Sequence, residues 1–298
     1  MATHSLKTST VMPKHRSFPR ELPGAAALAA SWRDTDFQAA VESLESLDFE
    51  KIQKLLSQRP DLGLLRRDGQ TLLSKVAASD AVKIAEFLLP FSDIAAVDNK
   101  GETALSRALF HAQPEMARFL TENGAPCAWP NPLEFDAMMI CAIGRYCEDG
   151  VKCARIVAPL CDAAFVPATK TMGAFEWAVS RGRHQIAKAI WECQSQATQE
   201  RMSERWLNAL LEQTWGSGSF RTEIEGDGAA FWALIDQLAC MRPEACAAFL
   251  ERTRADARDL PRFFATKEAR ELREALPAMT FGAKNASAQA VERRRGVL

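Results

Sequence analysis

Apolar residues recur at helical spacing along most of the chain, in short amphipathic runs arranged in pairs. Val82-Lys83-Ile84-Ala85-Glu86-Phe87-Leu88-Leu89 and Glu115-Met116-Ala117-Arg118-Phe119-Leu120 each place their apolar side chains on one helix face. Each follows a shorter Ala-rich apolar helix, and that helix follows a turn written almost identically twice. The turns are Asp68-Gly69-Gln70-Thr71-Leu72-Leu73-Ser74 and Lys100-Gly101-Glu102-Thr103-Ala104-Leu105-Ser106, offset by 32 residues. A unit of this size cannot bury its apolar face alone, so neighbouring copies must bury it by stacking. Gly69 and Gly101 stand where a turn requires positive φ. Thr71 and Thr103 stand where a hydroxyl can cap the following helix. No alternating run of Val, Ile, Thr and aromatics reaches strand length, so the pattern predicts an all-α solenoid.

The register resembles that of the ankyrin repeat. Gly101, Thr103, Leu105, Ala108, Phe119-Leu120 and Asn123-Gly124-Ala125 match that family's pattern, as do Gly69, Thr71, Leu73, Ala77 and Leu88-Leu89. Ser74 and Ser106 replace the family's His, and Leu72 and Ala104 replace its Pro. The same pattern extends outward. Leu47 to Leu56 reads as a second helix, with its first helix at about Asp36 to Leu44. Phe135 to Leu160 reads as a degenerate copy with extra residues around Tyr146 to Gly150, and its second helix would bury Cys153, Val157 and Leu160. Gly173 to Gly182 and Ile186 to Ile190 read as a further unit. About five repeats thus occupy residues 34–197, within a repeat region drawn as 25–197.

Outside the repeats the pattern changes. Residues 1–24 have no carboxylate before Glu21 and no helical or strand period. They read as a disordered tail or as a targeting segment, and their Ser/Thr-rich, acid-poor composition resembles the N-termini of bacterial secreted effectors. Residues 198–282 carry further helical patterns, including Arg201 to Leu211, Ala229 to Ile235, Pro243 to Phe249 and Arg262 to Leu276. They form either a helical cap on the stack or a separate helical module. Trp206, Trp215 and Trp232 are expected in its core. Residues 283–298 read as a flexible tail.

Charge is balanced at −1 over 298 residues. This balance argues against bulk attraction to nucleic acid. No apolar run approaches the ~20 residues that span a bilayer, so a soluble, cytoplasmic protein without membrane insertion is expected, with delivery into a host cell as the variant that residues 1–24 suggest. Eight cysteines raise the question of metal. No Cys-x-x-Cys pair occurs and the four histidines, 4, 15, 111 and 184, lie apart from most of the thiols. Cys141, Cys153 and Cys193 fall on apolar helix stripes, where Cys acts as a small hydrophobe. No P-loop, nucleophile elbow, zinc-protease or kinase signature is present. The sequence therefore supplies no catalytic, metal or cofactor residue. His111 and His184 read as exposed polar side chains.

The resemblance implies a protein partner held by the turn tips and the exposed face of the first helices. On matching positions these are Arg67, Asp68 and Gln70, then Asn99, Lys100 and Glu102, with Lys75, Ser79, Arg107, Phe110 and His111 on the helices. Phe110 either anchors a partner or tucks into the next repeat. Trp129 is a second candidate anchor. The implied function is protein–protein interaction, in an effector or a related role. The alternative is an enzyme whose activity lies in the C-terminal helices, with the repeats selecting its substrate.

Overall fold

The computed structural model describes residues 35–253 except 47, 67, 68, 130, 132, 169 and 216–226. The expected N-terminal segment, the helix expected from Arg262 and the C-terminal tail lie outside the described residues. Among those described there are thirteen α-helices and no strand. Ten of the helices form five pairs: α1 Thr35–Glu45 with α2 Phe49–Gln58, α3 Leu72–Val76 with α4 Val82–Leu88, α5 Ala104–Phe110 with α6 Pro114–Glu122, α7 Ala137–Ile143 with α8 Glu148–Val157, and α9 Ala174–Ser180 with α10 His184–Glu192. Three follow: α11 Gln196–Trp215, α12 Gly228–Met241 and α13 Pro243–Thr253.

The pairs stack into two layers. First helices α1, α3, α5, α7 and α9 pack in succession, and second helices α4, α6, α8 and α10 line up behind them. The first helices α3, α5 and α7 are short, each beginning at a side-chain cap and ending at a turn. Thr71 Oγ1 accepts from the Ser74 N–H at 3.1 Å, and Thr103 Oγ1 accepts from the Ser106 N–H at 3.1 Å. Ser106 Oγ returns the bond by accepting from the Thr103 N–H at 2.8 Å, which completes a capping box. Asp136 caps α7 in the same way, accepting from the Met139 N–H at 2.7 Å. Gly69 and Gly101 have φ of +81° and +79°, as the turn reading requires. Gly124, after α6, and Gly182, between α9 and α10, adopt the same left-handed conformation at other turns of the stack.

Side chains between caps fill the space between neighbouring pairs. Leu72, Leu73 and Val76, then Leu105, Ala108 and Leu109, then Met138, Met139 and Cys141, then Phe175, Ala178 and Val179 form one continuous core with Leu88, Leu120, Val157 and Ile190 of the second layer. Polar straps cross from two of the units to the unit before. Gln113, capping α6, donates to the Ala78 carbonyl at 3.3 Å. Arg183, in the same place before α10, donates to the carbonyls of Ala142 and Gly144 at 2.7 and 2.6 Å. These bonds close the open carbonyl ends of the preceding first helices.

The C-terminal helices continue the stack. α11 packs on α9 in the first-helix layer, and α12 packs on α10 in the second. Trp206 of α11 is fully buried and stacks on Phe175 with ring centroids 4.4 Å apart, while Trp191 meets it edge-on. α13 then covers α11 and α12, burying Cys246 and Phe249.

Two expectations are corrected here. Leu160 is exposed and not on the buried stripe, because a 3₁₀ turn at Ala158–Leu160 rotates it outward after α8 ends. His184 is fully buried. Its Nδ1 lies 3.1 Å from the Asp227 carbonyl oxygen and its Nε2 3.2 Å from the Gln213 amide oxygen, with the ring against Phe231. It is enclosed because α11 and α12 cover the start of α10, and that covering lies in the region where the repeat pattern is hardest to follow. Burial holds its pKa below the ordinary histidine value.

Candidate protein-binding surface

Asp98 organises the tips. Its side chain is buried, and one carboxylate oxygen accepts from the Lys100 and Glu102 N–H groups, each at 2.8 Å. The other oxygen accepts from the Gln70 amide at 3.3 Å and lies 4.0 Å from the Arg107 guanidinium. The turn is closed by the Asp98 N–H donating to the Glu102 carbonyl. Arg107 also pairs with the Glu102 carboxylate at 3.1 Å. Turns of successive units touch directly, since a Cβ on Gly69 would lie 2.5 Å from the Asn99 nitrogen.

This network sorts the residues singled out from the sequence. Gln70 and Arg107 are gathered on the Asp98 carboxylate, and Glu102 is drawn to them by its pairing with Arg107. Asn99 and Lys100 are exposed at the turn. Lys75 lies half-buried on the outward side of α3. Phe110 is 48% exposed, with the His111 ring edge-on to it at 5.5 Å. Arg67 and Asp68 lie outside the described residues. Trp129 is a correction: it is only 8% exposed, and its indole N–H donates to the Gly101 carbonyl at 2.8 Å. Its ring fastens one tip to the next and is not a free anchor.

The caps put the helices in a common register, which shows what the sequence reading overlooked. The residue four places after each cap faces outward: Lys75, Arg107, Ile140 and Trp177. The residue seven places after does so too: Ala78, Phe110, Ile143 and Ser180. None of these eight is buried, whereas the positions between them are. The signal was present in the sequence once Asp136 and Gly173 are aligned with Thr103. Trp177 carries two cations, Arg181 at 5.3 Å and Lys170 at 6.0 Å from its ring centroid. Lys170 also sits 5.7 Å from the Phe135 ring.

Beyond this row, a groove of about 1000 Å³ runs between α9 and α11. It is lined by Glu176, Ser180, Arg201, Arg205, Asn208 and Glu212, and the Glu176 carboxylate pairs with Arg205 at its floor. Asp136, beneath the row, has its pKa pushed up to about 6 by burial, partly offset by the Met139 N–H. The Cys127 and Cys161 thiols are hydrogen-bonded near it, which holds Cys127 low and pushes Cys161 up. Among the described residues no three of His, Cys, Asp and Glu are grouped to hold a metal ion. No helix among them is long and apolar enough to cross a membrane.

The described geometry is a stacked array with an open face and engaged turns, and the comparisons agree with it. No curated protein sequence gives a match. Residues 37–128, which span the first three helix pairs, match the family described as ankyrin repeats in three copies. Proteins of this family generally bind other proteins and are typically not enzymes. The capped, glycine-turned pairs of residues 37–128 are ankyrin repeats, and the chain is an ankyrin-repeat protein.

Proposed function

We propose that this chain binds a protein partner through its first-helix surface and the adjoining turn tips. The observation that carries the reading is Phe110: a large apolar side chain that is half-exposed on the outward row of α5, beside His111 and two turns from the exposed Asn99 and Lys100. An open face of helices and tips suits a protein surface better than an enclosed small-molecule pocket does. The idea of delivery into a host cell rests on the composition of residues 1–24 alone, and the proposal does not depend on it.

The test uses the full chain as bait in quantitative affinity capture. Phe110→Ala with His111→Ala should weaken capture of a specific partner by about 2 kcal/mol, the scale of a hot spot. Arg107 is left in place, because its removal would break the Asp98 network and confound binding with folding. A control on the second-helix face, Lys83→Ala with Glu86→Ala and Arg118→Ala, should leave capture intact. The reverse pattern would place the interface on the second-helix side and overturn the proposal.

A further inference from the structure

Over the last three helix pairs the two faces of the stack handle charge differently. On the second helices α6, α8 and α10, cations are matched by neighbouring carboxylates. Arg118 pairs with Glu115, Lys152 with Glu148 and Asp149, and Arg155 and Lys188 with Glu192. On the first-helix side, Lys75, Lys100, Arg145, Lys170 and Arg181 form no ion pair with any described residue. Two acids in this stretch are already engaged: Glu102 meets Arg107, and Glu134 accepts from the Ala168 N–H at 2.8 Å. Net charge over the whole chain is near zero, so this basic excess is local.

Between these cations lies apolar surface. Phe110 is exposed at the end of α5, and Ile140, Ile143 and Trp177 on the outward rows of α7 and α9 are half-buried, packed on the core with part of each side chain left at the surface. Neighbouring first helices pack directly, which sets the side chains at intervals of about 8–10 Å. The Phe110 carbonyl accepts from the Arg145 N–H at 3.1 Å, fixing that arginine's backbone beside the patch. The patch is thus an aliphatic and aromatic strip with a cationic border, held on short helices of which α5 and α7 are capped by Thr103 and Asp136.

We infer that this strip takes an acidic amphipathic segment of the partner protein, its apolar side against Phe110, Ile140, Ile143 and Trp177 and its carboxylates toward Arg145, Lys170, Arg181 and Lys75. The inference rests on the partner-binding reading and adds the chemistry of the partner. Complementary charge steers such a segment to the strip and rejects basic competitors. A nucleic acid fits less well. The two aromatic rings are separated by isoleucines, which offer no stacking platform, and the cations border the strip instead of tracking along a backbone path.

The experiment selects peptides from a displayed random library on the full chain. Enriched sequences should be net acidic with apolar residues at helical or alternating spacing. Binding of a synthetic copy should fall with added salt. It should weaken by about tenfold or more in Arg145→Glu with Arg181→Glu. A copy of the peptide with its acids changed to lysine should regain affinity for that variant alone. Both substituted residues are exposed, and circular dichroism checks that the fold is retained. Enrichment of basic or uncharged peptides overturns the inference, as does no enrichment above an unrelated helical repeat. So does an equal loss in Lys83→Glu with Arg118→Glu, or full displacement of the peptide by a single-stranded oligonucleotide of the same charge. In each of those cases partner binding itself still stands if Phe110→Ala with His111→Ala abolishes capture, and it falls separately if that variant captures normally.

Discussion

A few residues fix the geometry of each turn, and their substitution should be felt in proportion. Gly101 has φ of +79° and offers its carbonyl to Trp129. Valine at this position should cost roughly 1–3 kcal/mol in backbone strain. The melting temperature should then fall by roughly 2–4 °C for each kcal/mol. A variant that melts with the wild type would show that the turn is not held in that conformation. Asp136 makes a different prediction. Its folded pKa is raised to about 6, above the ordinary 3.8, so the folded state binds the proton more tightly than the unfolded chain does. The stability it contributes is complete below about pH 4 and is lost as pH rises through 6. Asp136→Asn keeps the helix cap and removes the charge. The stability of the variant relative to wild type should therefore rise by about 3 kcal/mol between pH 4 and pH 7, following 1.36 kcal/mol per pKa unit. Denaturant melts across that range measure it, and a flat difference would mean that the ionised carboxylate carries no burial cost. The His184 contribution has the opposite sign, since a depressed histidine pKa weakens the fold as pH falls below the ordinary value, but it is present in both proteins and cancels.

At the scale of elements, legibility followed the local signals. Thr71, Thr103, Gly69 and Gly101 announce a cap and a turn by their own chemistry, so the α3–α4 and α5–α6 pairs could be read to within a residue or two. α7 is capped by Asp136 in place of threonine, and α9 begins at Gly173 with no side-chain cap, so their outward residues were not aligned with the others. Ile140, Ile143 and Trp177 were missed for that reason. Trp129 was misjudged because an indole beside prolines looks exposed in sequence, and only the third dimension brings the Gly101 carbonyl 2.8 Å from its nitrogen. The burial of His184 likewise depends on α11 and α12, far along the chain. The same long-range packing gives a prediction for α11. Trp206→Ala removes a fully buried indole from between Phe175 and Trp191 and should cost about 3–5 kcal/mol. In a stacked array the damage should stay near the substitution. Hydrogen exchange should speed up in α9 to α13 and hardly change in α3 to α6. Uniform acceleration would instead mark the whole stack as one cooperative unit.

For the whole molecule, α11 and α12 prolong both layers beyond the five repeats read from the sequence, so the C-terminal helices are built as further turns of the same solenoid. α13 lies over the last of them and buries Cys246 and Phe249 there. A stack whose final apolar surface is bare is an unfinished polymer: the surface that would receive the next unit can receive another molecule instead. Such a head-to-tail contact does not close on itself and grows as a filament. α13 is therefore expected to act as a chain terminator. Removal of residues 243–298 should yield species that lengthen with concentration, seen as a rising mass in light scattering, and Phe249→Asp should do the same more weakly. A truncated protein that stays monomeric at all concentrations would show that the stack needs no such stop.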